Sequence, residues 1–268
     1  MYGTALRESE NGQRVAFDRA RLLVGWRERT SRLIEPVGCL ERFRGDDGEA
    51  TYEFRYLRTA IALDGFRPFI CFPDLYRSYR STHLFPFFEN RLMPRGRADY
   101  ASFMRTLGLD EDADPFAVLA RSEGRRQTDE IEVFAEPTLQ GGVARGIFWV
   151  RGIRELPGSA EAVTSLAVGD HLFALADAEE GVDGGAVLLR DGDFRPLGWV
   201  PGHLAVLIRQ AMSDTGPDAV SISVEHVGAG NGPVDLLVLC GLQLHWPQAS
   251  EWPFEGPEFE VVAATDNR

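Results

Sequence analysis

The hydrophobic pattern changes period several times along the chain, and each change marks an element. Thr51-Tyr52-Glu53-Phe54-Arg55-Tyr56 alternates rings with charges, which puts Tyr52, Phe54 and Tyr56 on one face of a half-buried antiparallel strand. Residues 21–26 and 36–41 read as two earlier strands, and Gly45-Asp46-Asp47-Gly48 as the turn that follows them. Residues 67–73, bounded by Pro68 and Pro73, are expected to form another strand at a sheet edge. The stretch from Tyr76 to Arg80 reads as a polar loop carrying arginines and tyrosines. Next comes Phe85-Pro86-Phe87-Phe88-Glu89-Asn90-Arg91-Leu92-Met93-Pro94, in which rings at i, i+2 and i+3 run into a proline. This predicts one short helix burying several rings, then a turn that redirects the chain. Residues 97–107 have helical spacing through Tyr100, Phe103, Met104 and Leu107, with Gly108 as the residue after the helix end. Asp114-Pro115 opens a further helix, the acid as N-cap and the proline at its first position. Residues 128–133 return as a strand with Ile131 and Val133 on one face.

After Gln140-Gly141-Gly142-Val143-Ala144-Arg145-Gly146 the rhythm is that of short strands. Residues 147–154 form the first, and 165–175 turn at Gly169 and feed a second. Residues 181–185 and 191–193 are turns around a buried strand at 186–189. Residues 196–201 lead into a helix over about 202–212, and strands at 219–227 and 234–244 complete the set. Several short strands with one inserted helix predict a small closed barrel.

Composition sharpens this division. All 28 basic residues are arginine, which excludes a P-loop lysine, the ATP-anchoring lysine of a protein kinase and a Schiff-base lysine. Residues 1–140 hold 21 arginines against 23 acids, whereas residues 141–268 hold 7 against 18. The break at the glycine-rich stretch therefore predicts two domains, 1–140 and 146–268, joined by a linker at 141–145. With no long apolar run and no apolar stretch behind the N-terminus, the chain is expected to be cytoplasmic, with no membrane partner. Cys39, Cys71 and Cys240 are far apart and in apolar company, as buried thiols of a reducing compartment would be.

The order of motifs in the first half resembles the N-terminal subdomain of HipA-type toxin kinases. The matching parts are Val37-Gly38-Cys39-Leu40, the aromatic strand at Tyr52 to Tyr56, Phe69-Ile70-Cys71-Phe72-Pro73, the phenylalanine-rich helix with Asn90-Arg91-Leu92-Met93-Pro94, and Pro115-Phe116-Ala117-Val118-Leu119. They span roughly residues 35–136. Arg91-Leu92-Met93 departs from the two leucines of the family, and Arg125-Arg126-Gln127-Thr128-Asp129 from its glycine-rich turn. The resemblance implies a small antiparallel sheet with helices, an α+β domain. The kinase core that follows in the full toxins has no expected counterpart in residues 141–268. The resemblance therefore implies an antitoxin-like partner that binds and restrains a HipA-like serine/threonine kinase, with a helix-turn-helix protein as a possible third member.

The second half is similar to the HIRAN domain, a mainly β, OB-like barrel with one helix. The similarity rests on Val150-Arg151-Gly152-Ile153-Arg154, Gly169-Asp170-His171-Leu172, Asp183-Gly184-Gly185-Ala186-Val187 and Leu197-Gly198-Trp199-Val200-Pro201. It implies, as an alternative function, recognition of single-stranded DNA at its 3′ end, with Arg154 and Asp183 on nucleotide-contacting positions. Glu155 and Leu156 stand where that site has stacking tyrosines, and Glu179-Glu180-Gly181-Val182 replace its Asn-Asn-Pro-Tyr stretch. Loss of stacking, worth about 1–3 kcal/mol per base, and the acidic balance both oppose phosphate binding.

Other chemistry finds little footing. His83, His171, His203, His226 and His245 show no ligand spacing, so no metal is expected. No serine or cysteine sits in a nucleophile-elbow context. Gly228-Ala229-Gly230-Asn231-Gly232 lacks a lysine and precedes a strand, as a hairpin loop does. Glu179, Glu180 and Asp183 read as an acidic solvated turn. The one basic and aromatic concentration is Tyr76, Arg77, Tyr79, Arg80, Arg91, Arg95 and Arg97, the expected partner surface; Arg and Tyr are the usual interface anchors. Trp246-Pro247 and Trp252-Pro253 suit a tail packing back on a domain or a docking segment. The expectation is a non-catalytic binding protein that needs no cofactor.

Overall fold

The computed structural model describes residues 3–8, 14–28, 33–45, 48–126, 128–176, 185–228, 236–247 and 250–262, with 3–8 and 14–19 described by backbone alone. In chain order the elements are β1 (Gly3–Glu8), β2 (Arg14–Arg27), β3 (Ile34–Arg44), β4 (Ala50–Tyr56), α1 (Thr59–Ala62), β5 (Tyr79–Ser81), α2 (Pro86–Glu89), α3 (Tyr100–Thr106), α4 (Pro115–Ser122) and β6 (Ile131–Ala135). They continue with β7 (Thr138–Gln140), β8 (Val143–Trp149), α5 (Ser159–Thr164), β9 (His171–Ala176), β10 (Val187–Arg190), β11 (Pro196–Trp199), α6 (Gly202–Thr215), β12 (Val220–Val227) and β13 (Val238–His245). The fold is mixed α+β, with two antiparallel sheets and few helices. No helix among the described residues is long and apolar enough to cross a membrane.

The chain divides into two compact units, but not at the glycine-rich stretch. One unit holds Met1–Met93, Asp114–Glu136 and Phe254–Arg268; the other holds Pro94–Ala113 and Pro137–Pro253. Residues 141–145 are not a linker. Gly141 and Gly142, at φ 59° and 75°, turn a hairpin in which Gln140 faces Val143. Glycine suits such a turn because a positive φ carries no Cβ penalty. The C-terminal segment likewise belongs to the first unit rather than to a domain beginning at residue 146.

In the first unit the sheet runs β1-β2-β3-β4-β5, and β6 pairs with the second half of β2 on the edge that β1 occupies along its first half. The expected aromatic face is present: Tyr52, Phe54 and Tyr56 are buried, and Phe54 stacks on Phe72 at 4.2 Å between ring centroids. Phe88 of α2 lies 5.8 Å from Phe54, so the phenylalanine-rich helix fills this core. Leu22, Val24, Leu40, Phe116, Leu119 and Val133 close it. Gly38 faces Tyr56 across the β3–β4 ladder, and a Cβ there would come within 2.7 Å of the Phe54 ring, so only glycine lets that ring lie flat on β3. Asp114 caps α4 as its sequence predicts, accepting a hydrogen bond from the Phe116 N–H at 3.2 Å.

The expected strand at 67–73 is a loop. Phe69 and Phe72 both point inward while Ile70 is 96% exposed, a spacing of three that a strand cannot produce. Phe72 N–H closes a turn onto Phe69 O at 2.7 Å. Prolines at both ends remove ladder donors, and the turn satisfies the backbone instead.

The second unit carries a seven-stranded sheet in the order β11-β10-β9-β12-β13-β8-β7. The predicted closed barrel is not formed among the described residues: the sheet is an open path. Arg151 and Trp199 form one isolated bridge, exchanging two backbone hydrogen bonds of 2.8 Å, between the chain after β8 and the edge strand β11. The expected strand over 147–154 stops short of this, because Gly152 takes φ 64° and starts a 3₁₀ turn at Ile153–Glu155. The predicted helix at residue 202 is α6, which buries Leu204, Leu207, Ile208 and Ala211. Trp246 and Trp252 are buried edge to face at 5.0 Å.

Candidate functional site

The loop from Tyr76 to Arg80 is built on β4. β5 pairs Arg80 with Glu53 and Tyr79 with Phe54, which brings loop side chains over a buried carboxylate. Glu53 accepts a hydrogen bond from Ser78 Oγ and another from Arg80 Nη2 at 3.3 Å, with Arg55 Nε at 3.7 Å. Burial alone would raise the Glu53 pKa; the Ser78 hydrogen bond and the charges of Arg55 and Arg80 override it and hold the carboxylate below its ordinary range. Arg55 in turn pairs with the fully buried Glu41. The loop is thus anchored by charge as well as by the packing of its rings.

The tyrosines face inward and the arginines outward. Tyr79 Oη accepts from Asp74 N–H at 2.7 Å and donates to Asp74 O at 3.1 Å, while its ring packs edge-on against Phe72 at 5.1 Å. Tyr76 is partly buried, and its N–H donates to Asp74 Oδ1 at 2.9 Å. Arg77 is exposed, with its guanidinium 5.4 Å from the Tyr79 ring centroid. Arg80 remains about half exposed beside Glu53. What this loop offers a partner is two guanidinium groups on a stiff aromatic base.

Sequence reasoning missed the neighbouring turn. Tyr56 Oη accepts from Phe69 N–H at 2.7 Å and donates to Phe72 O at 2.8 Å, clamping both ends of the turn whose apex is Ile70 and Cys71. Burial pushes the Tyr56 phenol well above its usual pKa, so it stays a donor. A rigid turn presents Ile70 to solvent, and the Phe72–Tyr79 contact places it on the same foundation as the arginine loop. The Phe-x-x-Phe spacing was the available signal.

The other expected partner residues have surroundings of their own. Arg91 is buried: its side chain is 2% exposed, bonded to both carboxylate oxygens of Asp129 at 2.7 and 3.1 Å and to Gly124 O at 3.0 Å. It also lies 4.8 Å from the Phe87 ring centroid. Arg91 is an internal tie of the first unit rather than a contact residue. Arg95 and Arg97 are exposed but belong to the other unit, where Arg95 donates to Ala113 O at 3.1 Å and Arg97 makes two 2.8 Å bonds to Asp99.

In the second unit Arg154 is exposed on the 3₁₀ turn. Asp183, with Glu179 and Glu180, lies outside the described residues. Phe173 and Phe194 are about half and nearly two-thirds exposed and sit 5.5 Å apart. Phe194 takes φ 62°, an unusual conformation for an aromatic residue, held by Asp191 Oδ1 accepting from the N–H groups of Asp193 and Arg195. No group of three or more potential metal ligands occurs among the described residues. Comparisons with protein-family models, with curated proteins and with solved structures give no match.

Proposed function

We propose that the protein is a non-catalytic binding partner of a HipA-like serine/threonine kinase, engaging it through the first unit. The observation that carries this reading is the way the family-like segments assemble. The aromatic strand, the Phe69–Phe72 turn, the phenylalanine-rich α2 and the Pro115-Phe116 helix all meet in one core. That core supports the exposed Arg77, Arg80 and Ile70, the surface offered to the kinase. Arginine and a large apolar side chain on a rigid base are what interface hot spots are made of. The test is co-expression with a HipA-like kinase, then pull-down and a growth assay. The protein retains the kinase and relieves its toxicity, and Arg77→Glu with Arg80→Glu weakens both. A wild-type protein that forms no complex and gives no relief refutes the proposal.

A second reading, recognition of single-stranded DNA 3′ ends by an OB-like second unit, is favoured by one observation. Phe173 and Phe194 offer exposed ring faces, and base stacking on such rings needs no sequence readout. Fluorescence anisotropy with free and blocked 3′ ends at low salt decides it. Binding that ignores both the blocked end and Arg154→Ala counts against the reading.

A further inference from the structure

The outer edge of β4 is divided between two short segments. β5 takes Tyr52 to Phe54, and the next stretch, Tyr56 to Arg58, is taken by the chain near its C-terminus. Leu57 and Val261 form an antiparallel bridge, Val262 N–H donates to Tyr56 O at 2.9 Å, and Arg58 N–H donates to Glu260 O at 2.9 Å. Side chains reinforce this backbone pairing. Thr59 Oγ1 donates to Glu258 O at 2.8 Å, and Arg58 Nε lies 3.0 Å from the Glu260 carboxylate. Arg21 Nη2 donates to Phe259 O at 3.3 Å. Val262 is 6% exposed and inserts into the aromatic core.

We infer that this edge is a strand-addition site for a short acidic and aliphatic peptide, of the pattern Glu-Phe-Glu-Val-Val, which the protein's own residues 258–262 occupy in cis. Main-chain hydrogen bonds supply affinity in such sites, and a side-chain pocket with a complementary charge supplies the selection. Here Val262 fills the pocket, and Arg58 faces the acid. The occupying segment is otherwise made of two 3₁₀ turns, Pro253–Glu255 and Pro257–Phe259, so few backbone bonds hold it. The site is distinct from the Arg77 and Arg80 surface and does not depend on the identity of the kinase partner.

A tethered segment competes with a free one at an effective concentration on the order of millimolar, so occupancy in cis masks the site. The probe is a fluorescein-labelled peptide of residues 254–262, and its anisotropy is followed with the full chain and with a chain ending at Pro253. The shortened chain binds the peptide about 50-fold more tightly than the full chain does, the masking expected when a tethered segment at about 1 mM competes with a peptide of about 20 μM affinity. A peptide carrying Val262→Asp binds about 10-fold more weakly or worse, its pocket lost, and one carrying Glu260→Arg, whose charge pair with Arg58 is about half exposed, binds about 3-fold more weakly. A shortened chain that still unfolds cooperatively yet ignores the peptide overturns the inference. Should shortening prevent folding, full-length Val262→Asp decides: it keeps the segment but empties the pocket, so it gains affinity for the wild-type peptide, and no gain overturns the inference.

Discussion

Replacing Arg91 with alanine strips a buried guanidinium from three partners at once. Its bonds to Asp129 and to Gly124 O are charge-assisted, and losing such bonds costs about 1.5–3 kcal/mol. The stacking over Phe87 adds about 0.5–1 kcal/mol. Asp129 is 30% exposed at its side chain, so water rescues part of its charge and the full cost of about 3–5 kcal/mol for an orphaned buried ion is not reached. The net expectation is a loss of about 3 kcal/mol, or a fall on the order of 10 °C in Tm for a unit of this size. Chemical and thermal denaturation followed by tryptophan fluorescence measure it. Arg97→Ala is the control: that guanidinium also makes two bonds to an aspartate, but its side chain is 58% exposed. Its removal leaves the transition within experimental error. Arg91→Lys falls between, because an ammonium cannot bond two carboxylate oxygens and a carbonyl in the same fork geometry. Equal effects of Arg91→Ala and Arg97→Ala refute the assignment of Arg91 as an internal tie.

Asp114→Ala removes both the α4 cap and the carboxylate that meets Arg42 and Arg44; about 1 kcal/mol goes with the cap and about 3 kcal/mol in all, whereas Asp114→Asn recovers the cap portion, measured by urea midpoints. Thiol titration of the native protein modifies Cys71 alone, because Cys39 and Cys240 are buried and burial pushes both thiols up, Cys39 to about 11; all three react after denaturation. Burial and the Arg151 charge hold His203 at about 3, below the value near 6.5 of an unfolded histidine. The unfolded chain therefore takes up a proton between those values that the folded chain excludes, and stability falls on acidification from pH 6.5 with a slope up to about 1.4 kcal/mol per pH unit. His203→Gln flattens that part of the profile, read as urea midpoints at pH 7 and pH 5.

What the chain determined by itself is the set of local patterns. Tyr52, Phe54 and Tyr56 alternate, and alternation in a strand has one geometric outcome. Asp114-Pro115 caps and starts α4 with contacts two residues apart. The phenylalanine-rich run forms its short helix, with Pro86 at its first position, for the same local reason. Such features depend on neighbours in sequence, so a sequence displays them.

The tertiary structure decided where charges and edges find partners. Arg91 and Arg97 look alike along the chain; one is buried because Asp129 and Gly124 arrive 38 and 33 residues later, and the other stays in solvent. Residues 141 and 142 have the composition of a linker and make a hairpin turn because β13 supplies the ladder beside β8. The loop at 67–73 carries strand-like residues and forms a turn because the distant Tyr56 hydroxyl satisfies its backbone. Segment 254–262 returns to the edge of β4 through partners about two hundred residues away. Which charges are buried and which edges are paired is settled by distant contacts that no local period encodes.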